Sequence, residues 1–128
     1  MKISTLALLL STAFSLSAVV HAANAAQETK LSKEFSVAIK PGKIHEECIE
    51  IKKDVEIAYR FKASQAVPFN IHYHVGQGSA EKVEYAVKLD GIDIKEDVFH
   101  APIDQHYCWM WSNKTVESLT VSGFLSAK

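Results

Sequence analysis

The sequence predicts an all-β fold, an antiparallel β-sandwich of seven or eight strands. Apolar and polar residues alternate with a period of two from about Leu31 onward, most clearly where Val55, Ile57, Tyr59 and Phe61 are separated by polar or small residues. Strands with one buried face show this alternation. Turn-forming residues separate the alternating segments, and no segment shows a competing helical period. These observations favour two packed sheets around one core.

The predicted strands follow one another with short connections. Pro41-Gly42, the loop of residues 76–79, the Asp90-Gly91 turn and Asn113-Lys114 mark the clearest breaks. Asn113 is interpreted as a turn residue because asparagine tolerates left-handed backbone and bonds locally. The strands are expected at about residues 31–39, 44–51, 55–63, 69–75, 83–89, 92–99, 105–112 and 116–125.

Length and charge exclude some functional classes. The chain has 128 residues, enough for one domain, with 14 basic and 15 acidic residues and a formal net charge of −1. A general nucleic-acid binder would carry a basic excess, so no nucleic-acid partner is expected.

The first 25 residues have the pattern of a secretory signal peptide. Lys2 precedes an uncharged apolar run over residues 3–20, and Ala23-Asn24-Ala25 matches a cleavage site after Ala25, with a second candidate site after Ala22. A membrane anchor is the alternative, although a run of about 18 residues is marginal as a span. We expect a short flexible segment at residues 26–30, a single domain at residues 31–128, no membrane span in the mature chain, and a periplasmic or secreted location.

The chain contains two cysteines, Cys48 and Cys108. In an oxidising compartment two cysteines are first of all candidates for a disulfide. In such a compartment, a Cys48–Cys108 disulfide would link two segments of the domain that are far apart in sequence.

Two segments resemble a known family. Glu46-Glu47-Cys48-Ile49-Glu50, and Tyr107-Cys108-Trp109-Met110-Trp111-Ser112-Asn113, are similar to the acidic-Cys and aromatic-Cys segments of GOLD (Golgi-dynamics) domains. The resemblance implies a GOLD-like, jelly-roll type β-sandwich in a stand-alone exported bacterial form. This chain lacks the coiled coil and the C-terminal membrane span of the family's cargo receptors. It also implies binding or interaction, with no catalytic residue to carry over.

Catalytic motifs are missing from the sequence. It contains no Gly-x-Ser-x-Gly elbow, and Gly76-x-Gly78 lacks the lysine and following helix of a phosphate loop. We therefore expect a non-enzymatic module whose ligand is an unidentified protein, peptide or small molecule.

Histidines suggest an alternative function, the binding of copper or zinc. His72 and His74 lie two residues apart in a predicted strand, so both imidazoles project from the same face. A metal site needs further ligands, for which His100 and His106 are the candidates by residue type. His106, Cys108 and Met110 would also share a strand face and suit copper, provided that Cys108 is a free thiol. Otherwise His72 and His74 are ordinary residues of a wet strand face.

The aromatic residues Tyr107, Trp109 and Trp111 share one face of another predicted strand. Three large rings would dominate a small sandwich core. The alternative is an exposed aromatic surface for a lipid, sugar or peptide.

Overall fold

The computed structural model describes residues 31–128. The predicted signal peptide (1–25) and the segment 26–30 lie outside the described residues. Within these described residues, all regular structure is β apart from a single 3₁₀ turn at Gly78–Ala80, which confirms the predicted all-β antiparallel class. The six strands are β1 (Ser32–Ile39), β2 (Ile44–Ile51), β3 (Glu56–Val75), β4 (Lys82–His100), β5 (Gln105–Ser112) and β6 (Leu119–Ala127).

One sheet folds over itself to make two layers. The strand order is β1-β6-β3-β5-β2, with β4 paired to β3 on its other side. Residues 57–63 of β3 pair with β6, whereas residues 69–72 pair with β5. We call β1, β6 and the first half of β3 the first layer, and β2, β5 and the second half of β3 the second layer. Both layers are therefore built on the same long strand.

The strand β3 changes partner at a local irregularity. The register with β4 shifts between Lys62 and Val67 and again between Val67 and Phe69. Pro68 lies at this point and has no partner in the register of β3 with β4, β5 or β6, as expected for a residue without a backbone N–H donor. Bulges of this kind bend a strand and increase its twist, which allows the sheet to fold over.

The same irregularities explain why the structure has fewer strands than predicted. The strands predicted at residues 55–63 and 69–75 form the single strand β3, which begins at Glu56, and those predicted at residues 83–89 and 92–99 form β4. The predicted turn at Asp90-Gly91 is wrong, because β4 continues through it. Gly91 has a positive φ of 72° and lies in the bulge, so it bends the strand instead of reversing the chain.

The core lies between the layers and is rich in aromatic rings. Phe61 of the first layer packs edge-on against Trp111 of the second at 5.4 Å between centroids, and Phe99 packs likewise against Trp109 at 5.6 Å. Tyr107, Trp109 and Trp111 are all buried, so core packing is confirmed for these rings and the alternative of an exposed aromatic surface is wrong. The alternation of β5 directs all three toward the opposite layer.

The predicted disulfide joins two neighbouring strands. Cys48 of β2 pairs in register with Cys108 of β5, and the two sulfurs are bonded. The cysteines are 60 residues apart in sequence, a separation for which chain entropy gives roughly 4 kcal/mol of stabilisation. Within residues 31–128, no helix has the length and apolar character needed to cross a bilayer.

Two further contacts fix strand positions. Gly123 of β6 approaches β3 so closely that a Cβ there would lie 2.2 Å from the carbonyl oxygen of Arg60.

Glu47 faces inward from β2 and is buried. Its carboxylate accepts hydrogen bonds from Lys33 and from His45 Nε2, the latter at 2.7 Å. A buried charge of this kind is tolerated because it is paired.

Candidate functional site

The outer face of the second layer carries three of the four predicted histidines near the disulfide. Register pairing places Cys48, Cys108, His72 and Tyr85 in one row across four strands. His72 is only 3% exposed although it points away from the core. Neighbouring outer-face side chains cover it, and the ring of Tyr85 lies 6.2 Å away. His72 is therefore a buried histidine within a face whose other histidines and Tyr85 are exposed.

His72 is held in one orientation by Asn70. The Nδ1–H of His72 donates to Asn70 Oδ1 at 2.8 Å, and Nε2 then lies 3.5 Å from Glu46 Oε1. Burial lowers the pKa of His72 below its usual value of 6.5, the Glu46 carboxylate opposes this, and His74 adds to the lowering. A neutral imidazole with Nδ1 bonded presents Nε2 as an acceptor or metal ligand.

His74 lies beside His72 but turns toward another carboxylate. The two ring centroids are 5.3 Å apart, and His74 Nδ1 contacts Glu81 at the start of the segment leading to β4. His106 lies on the same face, one row along from Cys108, and its neighbour Gln105 donates to the His74 carbonyl oxygen at 3.2 Å. The fold thus brings three of the four predicted histidines to one surface.

His100 lies elsewhere. It pairs with Glu56 at the opposite end of β3, and its Nδ1 is 3.2 Å from the Glu56 carboxylate. Among residues 31–128, the one trio of closely spaced metal-ligand atoms is Glu46, Cys48 and Cys108. Both sulfurs are bonded to each other, so the predicted copper set of His106, Cys108 and Met110 has no free thiolate in this state.

A second surface is formed at one end of the sandwich, where Asn113 organises two loops. Asn113 is 0% exposed, and its Nδ2 donates to the carbonyl oxygens of Ile39 at 2.8 Å and Glu117 at 2.7 Å. Its Oδ1 accepts from both the backbone N–H and the hydroxyl of Thr115, each at 2.8 Å. The backbone of Asn113 also bonds to Gly42 and Lys43. These bonds fix the loop of residues 113–118 against the turn of residues 40–43.

We call this end of the domain the lysine tip, comprising Lys40, Lys43, Lys114 and Val116. Val116 is 92% exposed, the most exposed large apolar side chain of the described residues. The three lysines are exposed, and none forms an ion pair with another described residue. Glu117 is the one acidic residue within residues 40–43 and 113–118, so these two segments carry three lysines against one acid and a net positive charge. A rigid loop presenting an apolar side chain among cations is suited to contact with a protein.

An open groove of about 580 Å³ lies on the outer face of the first layer. The guanidinium of Arg60 covers the ring of Phe124 at 4.9 Å, and Ile94 borders the groove with 59% of its surface exposed. The groove contains none of the histidines or tip residues.

Sequence reasoning missed the tip and the partners of His72. Asn113 was predicted as a turn residue, but its contacts with Ile39 and Lys43 join segments about 70 positions apart, and no local pattern reports them. Asn70 precedes the histidine pair at the spacing that places it on the same strand face, and this signal could have identified it. Glu46 belongs to a distant strand and had no such signal.

The fold and its surfaces define a small all-β domain with a disulfide and two hydrogen-bonded polar surfaces. Among solved structures it is similar to PliG of Aeromonas hydrophila, described as a periplasmic lysozyme inhibitor of g-type lysozyme. The TM-score is 0.58 at 13% sequence identity, covering 78% of this chain and 89% of that chain. No protein-family model and no curated protein matches the sequence, so the GOLD resemblance stays a prediction.

Proposed function

We propose that this domain is an exported, non-catalytic module that binds a protein partner through the lysine tip, and that a lysozyme is that partner. The observation that carries the proposal is Val116, almost fully exposed on a loop whose backbone is fixed by the buried Asn113. An ordered loop loses little conformational entropy on binding, so an apolar contact made by it contributes more to affinity.

The charge of the tip indicates the kind of surface it contacts. Lys40, Lys43 and Lys114 have no ion-pair partners in the described domain and are available to acidic groups. Glycoside hydrolases, lysozymes among them, use a pair of carboxyl groups in their active sites. A cationic tip of this shape is complementary to such a cleft.

Two further observations support export and inhibition. The cross-strand disulfide is typical of proteins from oxidising compartments. The fold is shared with a protein described as a periplasmic inhibitor of g-type lysozyme. Export, a protein ligand and the absence of catalysis are all parts of this proposal.

The test measures cell-wall lysis by g-type lysozyme with and without the exported, oxidised protein, together with calorimetric titration. We expect inhibition by a stoichiometric complex that weakens as salt is raised. Val116→Asp should weaken binding at least about ten-fold, since it places a carboxylate against an acidic partner. Ile94→Asp, with the same charge change on the groove of the first layer, is the matched control. Absence of a complex, or an equal effect of the two substitutions, would contradict the proposal.

A further inference from the structure

The residues around the disulfide include metal-ligand atoms, and the disulfide prevents two of these atoms, the sulfurs, from binding a metal. Ligand atoms of Glu46, Cys48 and Cys108 all lie within 4.8 Å of one another. His72 is paired in register with Cys108, and its Nε2 is 3.5 Å from Glu46 Oε1. The two sulfurs and the carboxylate oxygen thus lie together on β2 and β5, and the His72 imidazole of β3 lies beside the carboxylate.

The spacing of the nitrogen and oxygen is that of two ligands on one metal ion. Zinc binds imidazole nitrogen and carboxylate oxygen at about 2.0–2.2 Å, so two such ligands at a tetrahedral angle lie roughly 3.3 to 3.5 Å apart. The observed separation of 3.5 Å between His72 Nε2 and Glu46 Oε1 meets this requirement. No hydrogen bond joins these two acceptor atoms when the imidazole is neutral, so a cation between them removes an unfavourable contact.

His72 is already prepared as a ligand. Its Nδ1 is bonded to Asn70 Oδ1 at 2.8 Å, and its side chain is almost completely buried. Metal-binding histidines commonly donate the second ring N–H to an oxygen acceptor, which fixes ring orientation and tautomer. Asn70 supplies this acceptor here.

We propose that the dithiol form of this protein binds one zinc ion through Cys48 Sγ, Cys108 Sγ, His72 Nε2 and the Glu46 carboxylate. Zinc binding to the two thiols forms two Zn–S bonds and releases two protons to solvent, with no change of oxidation state. In the disulfide form the sulfurs are bonded to each other and cannot act as thiolate ligands.

The two sulfurs can therefore either bind zinc or form the disulfide, but they cannot do both. A newly exported chain carries two thiols, and a small or protein disulfide of the compartment converts them to Cys48–Cys108 while itself becoming a dithiol. A chain that has already bound zinc resists this exchange, since its sulfurs are held by the metal. This inference is independent of the lysine tip, which lies at one end of the sandwich.

The experiment titrates the full chain with Co²⁺, a spectroscopic substitute for zinc, after reduction with a phosphine and in the oxidised state. We expect a thiolate-to-cobalt absorption band at one equivalent in the reduced protein only, and its loss when Zn²⁺ displaces the cobalt. Glu46→Gln should lower the affinity about ten-fold or more. Glu50→Gln, an exposed position on the same face of β2, is the matched control and should bind like the unsubstituted protein.

Reduction could unfold the domain, so the circular dichroism of the reduced protein is recorded before and after zinc addition. Restoration of the β signal by zinc supports the site, because metal binding then supplies folding free energy. A reduced protein without the thiolate band, an unfolded reduced protein that zinc does not restore, or equal affinity in the Glu46 and Glu50 variants would overturn the proposal.

Discussion

The side-chain amide of Asn113 donates a hydrogen bond of 2.8 Å to the carbonyl oxygen of Ile39, which lies 74 positions earlier in the chain. This bond connects the end of β1 with the loop after β5, and the same side chain accepts from Thr115. A single buried amide therefore sets the conformation of the lysine tip, although it contributes nothing to the exposed surface itself.

Replacing Asn113 with alanine should lower the free energy of unfolding by about 2 to 4 kcal/mol, because one buried and two part-buried backbone groups lose their partners at once. Urea denaturation at neutral pH measures the change. Lys114→Ala, at the neighbouring exposed position, is the control and should change stability by less than about 0.5 kcal/mol. Equal stability of the two variants would show that the Asn113 bonds do not hold the tip.

Gly123→Ala should destabilise the domain by at least about 2 kcal/mol, since the added methyl meets backbone that cannot move without shifting β6 from β3. The new Cβ would lie 2.2 Å from the Arg60 carbonyl oxygen and 2.9 Å from the ring of Phe35. Ser122→Ala on the exposed side of the same strand is the control. A Gly123 variant as stable as the control would contradict the close packing of these strands. Thermal unfolding measures the stability of the Gly123→Ala and Ser122→Ala variants.

His72 should make the domain less stable in mild acid. Burial lowers its pKa below the ordinary 6.5 in the folded state, so the unfolded chain binds more protons between these two values. The free energy of unfolding therefore falls as the pH drops below about 6.5, and continues to fall until the folded-state pKa is reached. His72→Gln should flatten this slope, measured by urea titrations at pH 7.5 and 5.5 beside the unsubstituted protein. An unaltered slope in His72→Gln would count against the buried neutral imidazole.

Glu47 should make the stability of the domain depend on pH in a more acidic range than His72 does. Burial alone raises its pKa, but hydrogen bonds from Lys33 and His45 outweigh this and hold the pKa below the usual 4.5. Its contribution to stability is complete above about 4.5 and is lost as the pH falls through the folded-state pKa. Glu47→Gln should remove this acid-dependent loss, measured by thermal unfolding between pH 5 and 2.5. Glu50→Gln on the exposed face of the same strand should retain it, and identical curves for the two variants would refute the assignment.

The copper or zinc alternative for His72 and His74 makes its own prediction for the oxidised protein. A site built on this pair should bind Cu²⁺ or Zn²⁺ at pH 7.5 and release it near pH 5, because imidazole must be neutral to coordinate. His74→Ala should abolish this binding and His100→Ala should not, since His100 lies at the other end of β3. Calorimetric titration tests both variants. Equal affinities would leave His74 as an ordinary surface residue.

Local pattern was sufficient to predict the fold class but not the strand count. The alternation of Tyr107, Trp109 and Trp111 predicts their shared burial, because a period of two is a property of the strand alone. The bulges near Pro68 and Gly91 look like strand ends in sequence, since turns and bulges use the same residue types. The contacts of Asn113 with Ile39, and of His72 with Glu46, join separate strands and depend on register, which alternation does not specify.

The pairing of the first and last strands has a topological consequence. The backbone N–H of Ala127 donates to the carbonyl oxygen of Leu31 at 3.0 Å, so the two ends of the described domain are neighbours. A short peptide could join them, and the chain could be reopened in the loop of residues 76–81 with the same native contacts. The hairpin of β3 and β4, the most local pairing in the present order, would then become the most distant one. The present order therefore gives its two longest strands the lowest entropic cost of association during folding.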